Sequence, residues 1–419
     1  MSSSPKKAIL FAPFWRQEGH VGNNRVDRFV RWLAEDGYNV VMIRAGSTDS
    51  ERTTTWGKEI TVCDHLGIYR DEILSTRALT LRRKPNKLRR ALAEWLFNPD
   101  PTVVWARAAA KHPAVLSAMD GAAFILSSSP PESAHVGAWI LSCRTSVPHI
   151  VDMRDGWLDE PLKPLLHSSA LRRWLEGRLE ARILRDAKAI QVTSDVWHEL
   201  LCTRLPDLSS KVKVLTNGYP QHLPNTLPSE RNPSGGELVL IHAGRFTGSR
   251  LTQFPDLLLE PLLQNLSLKP ANGVIQLIGS LSANELKQIE PFKSRFKSIG
   301  WRIECLGSIP RDDLLALLPK ADGFLLLSAT YAALPSKLFE YIVSKKPIFS
   351  VVDENSAAFD LCMRLPQCHV VRTGIKTDDG SSACFYLRRD ASIPLDFTED
   401  FLRVIFSKTV NKFIESVRK

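Results

Sequence analysis

The sequence predicts an α/β protein of two Rossmann-like domains, each built on a parallel sheet, facing each other across a cleft. Three observations carry this reading. Strand, loop and helix patterns alternate along the chain, as they do in βαβ units. The alternation stops in a Pro- and Gly-rich stretch and restarts beyond it. The chain, at 419 residues and 44% hydrophobic, is long and apolar enough for two cores.

Residues 7–14 (KAILFAPF) read as the first strand. RQEGHVGNNRVDRFVRWLAEDGYNVVMIRAG then supplies a loop holding Gly19 and Gly22, an amphipathic helix, a stop at Gly37 and a second strand. AAFILSSSPPESAHVGAWILSCRTSVPHIVDMRDGW repeats strand, polar Pro turn, helix and strand, and AKAIQVTSDVWHELL and KVKVLTNGYP add further βα steps. The first domain therefore spans 1–217. Residues 218–236 hold four prolines and three glycines with almost no apolar periodicity, the mark of a linker. The second domain, 237–395, runs from the strand ELVLIHAGRF through GVIQLIGS, RIECLGS, PRDDLLALLPKA and DGFLLLSA to the turn and helix of YAALPSKLFEYIVSKKPI. The tail, 396–419, reads as a helix capped by Asp396 with Glu399 three residues on, packing back on the first domain.

Composition narrows the setting. Seven cysteines are scattered without a CxxC pair, which suits a reducing cytosol and no structural zinc. The apolar run after MSSSPKK has no small-residue cleavage site behind it, and no later run nears the roughly 18 residues a spanning helix needs. The expected location is cytoplasmic, with peripheral contact at the inner face of the cytoplasmic membrane. A net charge of +10 suits polyanions, anionic lipid head groups or phosphorylated substrates. Residues 77–90 carry seven basic side chains and no acid, followed by ALAEWLF. Residues 77–97 thus read either as a solvated basic helix or as a membrane-facing patch. The basic residues are not interleaved with aromatics on a recognisable module, so no nucleic-acid partner is expected.

Ligands of a parallel sheet bind beyond its strands' carboxyl ends, which directs attention to particular loops. HAGRFTGSR places Arg245 and Arg250 five residues apart across Gly248, two guanidinium forks suited to phosphate oxygens or a plain surface loop. In YAALPSKLFEYIVSKKPI, Ser336 and Lys337 start a helix whose N–H groups favour an anion, and Glu340 follows one turn later. That carboxylate is badly placed for phosphate and well placed for ribose hydroxyls, so a nucleotide with a diphosphate fits. The bland reading is a helix with Glu340 paired to a lysine. Gly19 and Gly22 permit close backbone approach to a pyrophosphate or an acceptor, and equally a tight turn. DMRDGW sets Asp152, Arg154 and Asp155 at a strand end: a buried Asp–Arg pair, or acceptor binding and base assistance by Asp155. Asp312 and Asp313 in PRDDLL follow Pro310 in a helix's first turn, where acids favour the dipole, so no metal is expected.

Taken in order, GHVGNNRVDRFVRWLAEDGYNVVMI, ILSSSPPESAHVGAWIL, PHIVDMRDGW, AIQVTSDV, VLTNGYP, HAGRFTGSR and LPSKLFEYIVSKKPI resemble the glycosyltransferases of the GT-B fold. The resemblance covers nearly the whole chain and lies with retaining enzymes that build bacterial surface polysaccharides and glycolipids. It implies that Arg245 and Arg250 contact the donor diphosphate, the second standing where the family has lysine. It also implies that Glu340 holds the donor ribose, with Ser336 and Lys337 near the phosphates. His135 falls where related enzymes place a histidine near the donor sugar; a structural histidine is the plain alternative. The family often has a glutamate eight residues before the ribose-binding one, and this chain has Ala332 there.

The implied reaction moves a sugar from a nucleoside diphosphate sugar to a hydroxyl of a glycan or lipid-linked acceptor, with retention and without a cofactor. Catalysis would be electrostatic, with Arg245, Arg250, Lys337 and the helix N-terminus stabilising the charge on the leaving diphosphate, and retention is expected from the resemblance, no nucleophile or carboxylate pair standing out. A catalytically inactive glycosyltransferase-like subunit or glycan-binding partner is the alternative that Ala332 suggests. A sugar-nucleotide epimerase of the same fold would need more acid/base residues than the cleft loops hold.

Overall fold

The computed structural model describes residues 6–15, 23–67, 97–160, 169–218, 237–246, 254–268, 271–328, 330–372 and 399–418. The chain divides into two compact units, Met1–Leu215 with Arg403–Lys419, and Thr216–Leu402.

The first unit opens with β1 (Lys7–Phe11), whose Ala8–Phe11 are all buried, the mark of a parallel strand covered on both faces. In α1 (Asn23–Glu35), Val26, Phe29, Val30 and Leu33 recur at helical spacing and turn one stripe inward. β2 (Asn39–Gly46) follows. β3 (Ser50–Thr54) and β4 (Gly57–Cys63) then form an antiparallel hairpin. α2 (Val103–Ala109) and α3 (Pro113–Ala118) precede β5 (Ala122–Ser129), α4 (Ser133–Thr145) and β6 (His149–Met153). α5 (Ala170–Asp186), β7 (Ala189–Val192), α6 (Asp195–Arg204) and β8 (Val212–Val214) complete it. The sheet order is β3-β4-β2-β1-β5-β6-β7-β8, parallel except for β3. The strand order reverses between β1 and β5.

The second unit alternates β9 (Leu238–Ala243), α7 (Pro255–Ser267), β10 (Gly273–Ile278), α8 (Ala283–Lys297), β11 (Trp301–Gly307), α9 (Arg311–Leu317) and β12 (Gly323–Ser328). It continues through α10 (Ser336–Val343), β13 (Ile348–Val352), α11 (Ala357–Met363) and β14 (Cys368–Arg372). α8 starts with a reciprocal cap: Glu285 N donates to Ser282 Oγ at 3.2 Å and Ser282 N to Glu285 Oε2 at 2.6 Å. Leu258, Leu262, Ile275, Leu277, Phe296 and Trp301 meet in the core between these helices and the sheet. All strands are parallel in the order β11-β10-β9-β12-β13-β14. Counting from β9, that is 3-2-1-4-5-6, the doubly wound order, and its switch point lies between β9 and β12.

The chain then returns to the first unit. In α12 (Glu399–Arg418), Phe406 stacks on Phe29 at 4.9 Å and packs against Trp32 at 5.4 Å. Arg403 donates to Asp36 at 2.8 Å and pairs with Glu35 at 2.7 Å, while Ser407 Oγ donates to the second Asp36 oxygen at 2.7 Å.

Candidate functional site

At the switch point of the second unit, β9 ends in Ala243, whose N–H donates to Tyr341 Oη at 2.8 Å. Tyr341 is buried, stacked on Phe324 at 4.4 Å, and burial pushes its pKa up, so the phenol stays neutral. The backbone then turns through Gly244 at φ 108°, and Gly244 N donates to Ile278 O at 2.7 Å. Beside it, Gly279 has φ 151°, and a Cβ there would stand 2.6 Å from Gly244 O. The two strand ends therefore nest this closely because Gly279 carries no side chain, while Gly244 supplies the positive φ of the turn.

A Cβ on Gly244 would lie 3.8 Å from Lys337 Nζ, so the ammonium stands beside that glycine turn. Below it His242 is buried, its ring stacked on Phe246 at 4.4 Å and its Nδ1 3.0 Å from Leu325 O. Burial first, then Lys337, hold its pKa well below the usual value, so His242 is neutral and Nδ1 is the donor. Ser336 and Lys337 form the first turn of α10 behind Pro335, which places no side-chain cap on that turn. The positive end of α10 and the Lys337 ammonium are thus gathered at one switch point with bare glycine backbone, a combination that suits phosphate oxygens. Arg245 follows Gly244 directly and is exposed.

Glu340 lies one turn further and is 4% exposed. Its Oε1 accepts from Arg311 Nη2 at 2.7 Å. The lysine partner expected of a plain structural pairing is replaced by an arginine from α9. Asp312 and Asp313 stand in the first turn of α9, as helix-end acids do. Ala332 is buried at 2% and Tyr331 beside it is exposed, so no carboxylate occupies this turn.

The first unit has its own polar cluster at the strand ends. Arg25 donates to both oxygens of Asp152, at 2.7 to 3.1 Å, and to Leu215 O at 2.9 Å; Ser128 Oγ adds a 2.8 Å bond to Asp152. Asp152 and Ser128 face each other in the β5–β6 register, which explains their meeting. Asp152 thus takes its buried arginine from α1 and not from its own DMRDGW motif. Arg154 instead donates to the carbonyls of Ser129 at 2.6 Å and Pro130 at 2.7 Å and lies 4.4 Å from the Phe14 ring centre. Burial lowers its pKa to about 10 against the pull of Asp155 and Asp152, so it stays charged. Asp155 is half-buried beside it.

His135 is placed differently from the role implied by the resemblance. It is 0% exposed, and Ser127 Oγ lies 2.7 Å from both His135 Nδ1 and His149 Nε2. Burial lowers both histidines to about 3, so both rings are neutral at pH 7. The chain His135–Ser127–His149 ties α4 to β5 and β6; it leaves no ring nitrogen at the surface. Gly19, Gly22, Arg250 and residues 77–96 lie outside the described residues. Among the described residues, no three His, Cys, Asp or Glu side chains gather as metal ligands, and no helix is long and apolar enough to cross a membrane.

Residues 22–218 match the glycosyl transferase 4-like domain. Sucrose-phosphate synthase from Thermosynechococcus elongatus superposes with a TM-score of 0.56 at 14% identity, over 98% of this chain and 94% of that one. Anabaena Alr3699/HepE, in a crystal structure with UDP, gives 0.53 at 14% identity over 98% of both chains. The lipopolysaccharide outer core galactosyltransferase WaaB gives 0.51 at 14% identity over 98% and 99%. The fold is that of a GT-B glycosyltransferase. No curated protein matches the chain in sequence.

Two features of this GT-B chain were not anticipated from the residues. Arg311 has no local signal within PRDDLL because its partner lies 29 positions away. Tyr341, which holds the end of β9 from 98 positions away, sat inside an apolar run that signals only burial.

Proposed function

We propose that the chain transfers a sugar from a nucleoside diphosphate sugar to a hydroxyl of a glycan or lipid-linked acceptor, in bacterial polysaccharide biosynthesis. The observation that carries this is the meeting of Gly244, Gly279, Lys337 and the start of α10 at the switch point of the second sheet, with Glu340 one turn beyond. A diphosphate fits the first group and ribose hydroxyls fit the carboxylate. That HepE has been crystallised with UDP, and with UDP and glucose, supports the same class of donor.

In this reading the leaving diphosphate gains negative charge as the glycosidic bond breaks. Lys337, Arg245, Arg250 and the α10 N-terminus stabilise that charge, so the groups act on the transition state and need no metal. Ser336 lines the phosphates, Gly19 and Gly22 permit close backbone approach to a pyrophosphate or the acceptor, and Asp155 serves the acceptor hydroxyl. His135, buried on every side, acts only by holding strand ends. Retention of configuration is part of the proposal, and an inverted anomer by NMR of the product would overturn it. Residues 77–97 supply the peripheral membrane contact; loss of vesicle binding at high salt is the expected sign.

A second reading, a glycosyltransferase-like subunit without turnover, is favoured by one observation: buried Ala332 where the family often carries glutamate. A thermal-shift screen against UDP, GDP, ADP, CMP and dTDP separates the first steps. Ligands that bind the folded state alone raise the melting temperature. One clear stabiliser, lost in Glu340→Ala and Arg245→Ala, is the expected result; no shift with any nucleotide would remove the donor-site reading. Stabilisation without turnover on any of the corresponding sugars would favour the inactive subunit.

A further inference from the structure

We propose that Arg311 is the positioning residue for Glu340: it holds one carboxylate oxygen so that the other is presented to the ribose of the bound nucleotide. This rests on the donor-site reading and goes beyond it, because Arg311 lies in a different helix, outside the motif that carries Glu340.

Glu340 is 4% exposed, and a carboxylate that far from water is tolerated only when it is paired. Among the described residues its one hydrogen-bond donor is Arg311 Nη2, on Oε1 at 2.7 Å; Oε2 has none. An ionised carboxylate is an acceptor on both oxygens, so Oε2 retains its full capacity for hydroxyl donors. Arg311 itself opens α9, behind β11, while Glu340 lies in α10, behind β12. The pair therefore ties together two helices that begin at the carboxyl edge of the sheet. The arginine side chain is 40% exposed, and its remaining N–H groups have no partner among the described residues. A guanidinium is rigid, always charged and donor-only, which fixes the rotation of the carboxylate it grips.

A tie that served stability alone would leave nucleotide recognition unchanged, so the test reads recognition directly. Affinities are measured for UDP, 2′-deoxy-UDP and 3′-deoxy-UDP, and for the matching guanine and adenine series, on wild type, Arg311→Ala, Arg311→Lys and Glu340→Ala. A charge-assisted hydrogen bond predicts a preference of about 10- to 100-fold for the ribonucleotide in wild type. Glu340→Ala abolishes that preference, Arg311→Ala reduces it nearly as far, and Arg311→Lys restores part of it. Equal losses for ribo- and deoxynucleotides in Arg311→Ala, or an unchanged preference, would overturn the positioning role while leaving the donor site standing. Absence of nucleotide binding in wild type would overturn both. A preference that survives Glu340→Ala would remove the ribose role of Glu340 and this inference with it.

Discussion

His135 and His149 share the single hydroxyl of Ser127, each with one ring nitrogen bonded and the other buried without a partner among the described residues. Burial is the dominant cause of their lowered pKa values, about 3 for each. The unfolded chain takes up protons on these rings near pH 6.5, while the folded chain does so only near pH 3. Between those values the unfolded state binds more protons, so stability falls as pH falls through that window. The loss is at most about 1.4 kcal/mol per pH unit for each histidine, and the pair adds nothing above pH 7. Urea midpoints at pH 7.5 and 5.0 check this. The expected result is a drop in wild type that is clearly smaller in His135→Gln/His149→Gln. An equal drop in both proteins would show that carboxylates alone set the acid sensitivity.

The nested glycine turn is the element that makes the candidate site. A Cβ at Gly279 would meet Gly244 O at 2.6 Å and Gly244 C at 2.8 Å, both backbone atoms that a flexible side chain cannot relieve. Gly279→Ala is therefore expected to push the end of β9 away from β10 and to weaken nucleoside diphosphate binding by about tenfold or more, with a stability loss of about 1–3 kcal/mol. Isothermal titration with the nucleotide that stabilises wild type measures this; unchanged affinity would separate the turn from the site. The strand before this turn was legible because LVLIHA is a near-continuous apolar run ending in glycine, and α10 because Pro335 precedes an amphipathic stripe. The β3–β4 hairpin was not legible: Ser50, Glu51, Arg52 and Thr53 are all exposed, so β3 has no apolar alternation to announce it. Nor were the partners of Asp152 and Glu340. Arg25 and Arg311 meet them only through strand order and helix placement, information that local periodicity does not hold.

At the scale of the whole molecule, the chain crosses between the two units twice, because α12 follows the second unit in sequence and belongs to the first. Its attachment is mixed: Phe406 is 0% exposed against Phe29 and Trp32, and Arg403 and Ser407 grip Glu35 and Asp36 at the end of α1. The polar bonds are partly exposed, and such pairs are each worth at most about 1 kcal/mol. The buried ring is the larger contribution, since removing a phenyl group from a packed core costs about 3–5 kcal/mol. Phe406→Ala should therefore loosen the first unit, while Arg403→Ala should shift it little. The second unit keeps its own core, so its nucleotide-dependent stabilisation should survive in Phe406→Ala. Thermal unfolding with and without the stabilising nucleotide distinguishes these outcomes: an earlier transition insensitive to ligand, followed by one that ligand still raises. A single transition at the wild-type temperature would mean that α12 is not needed to hold the first unit together.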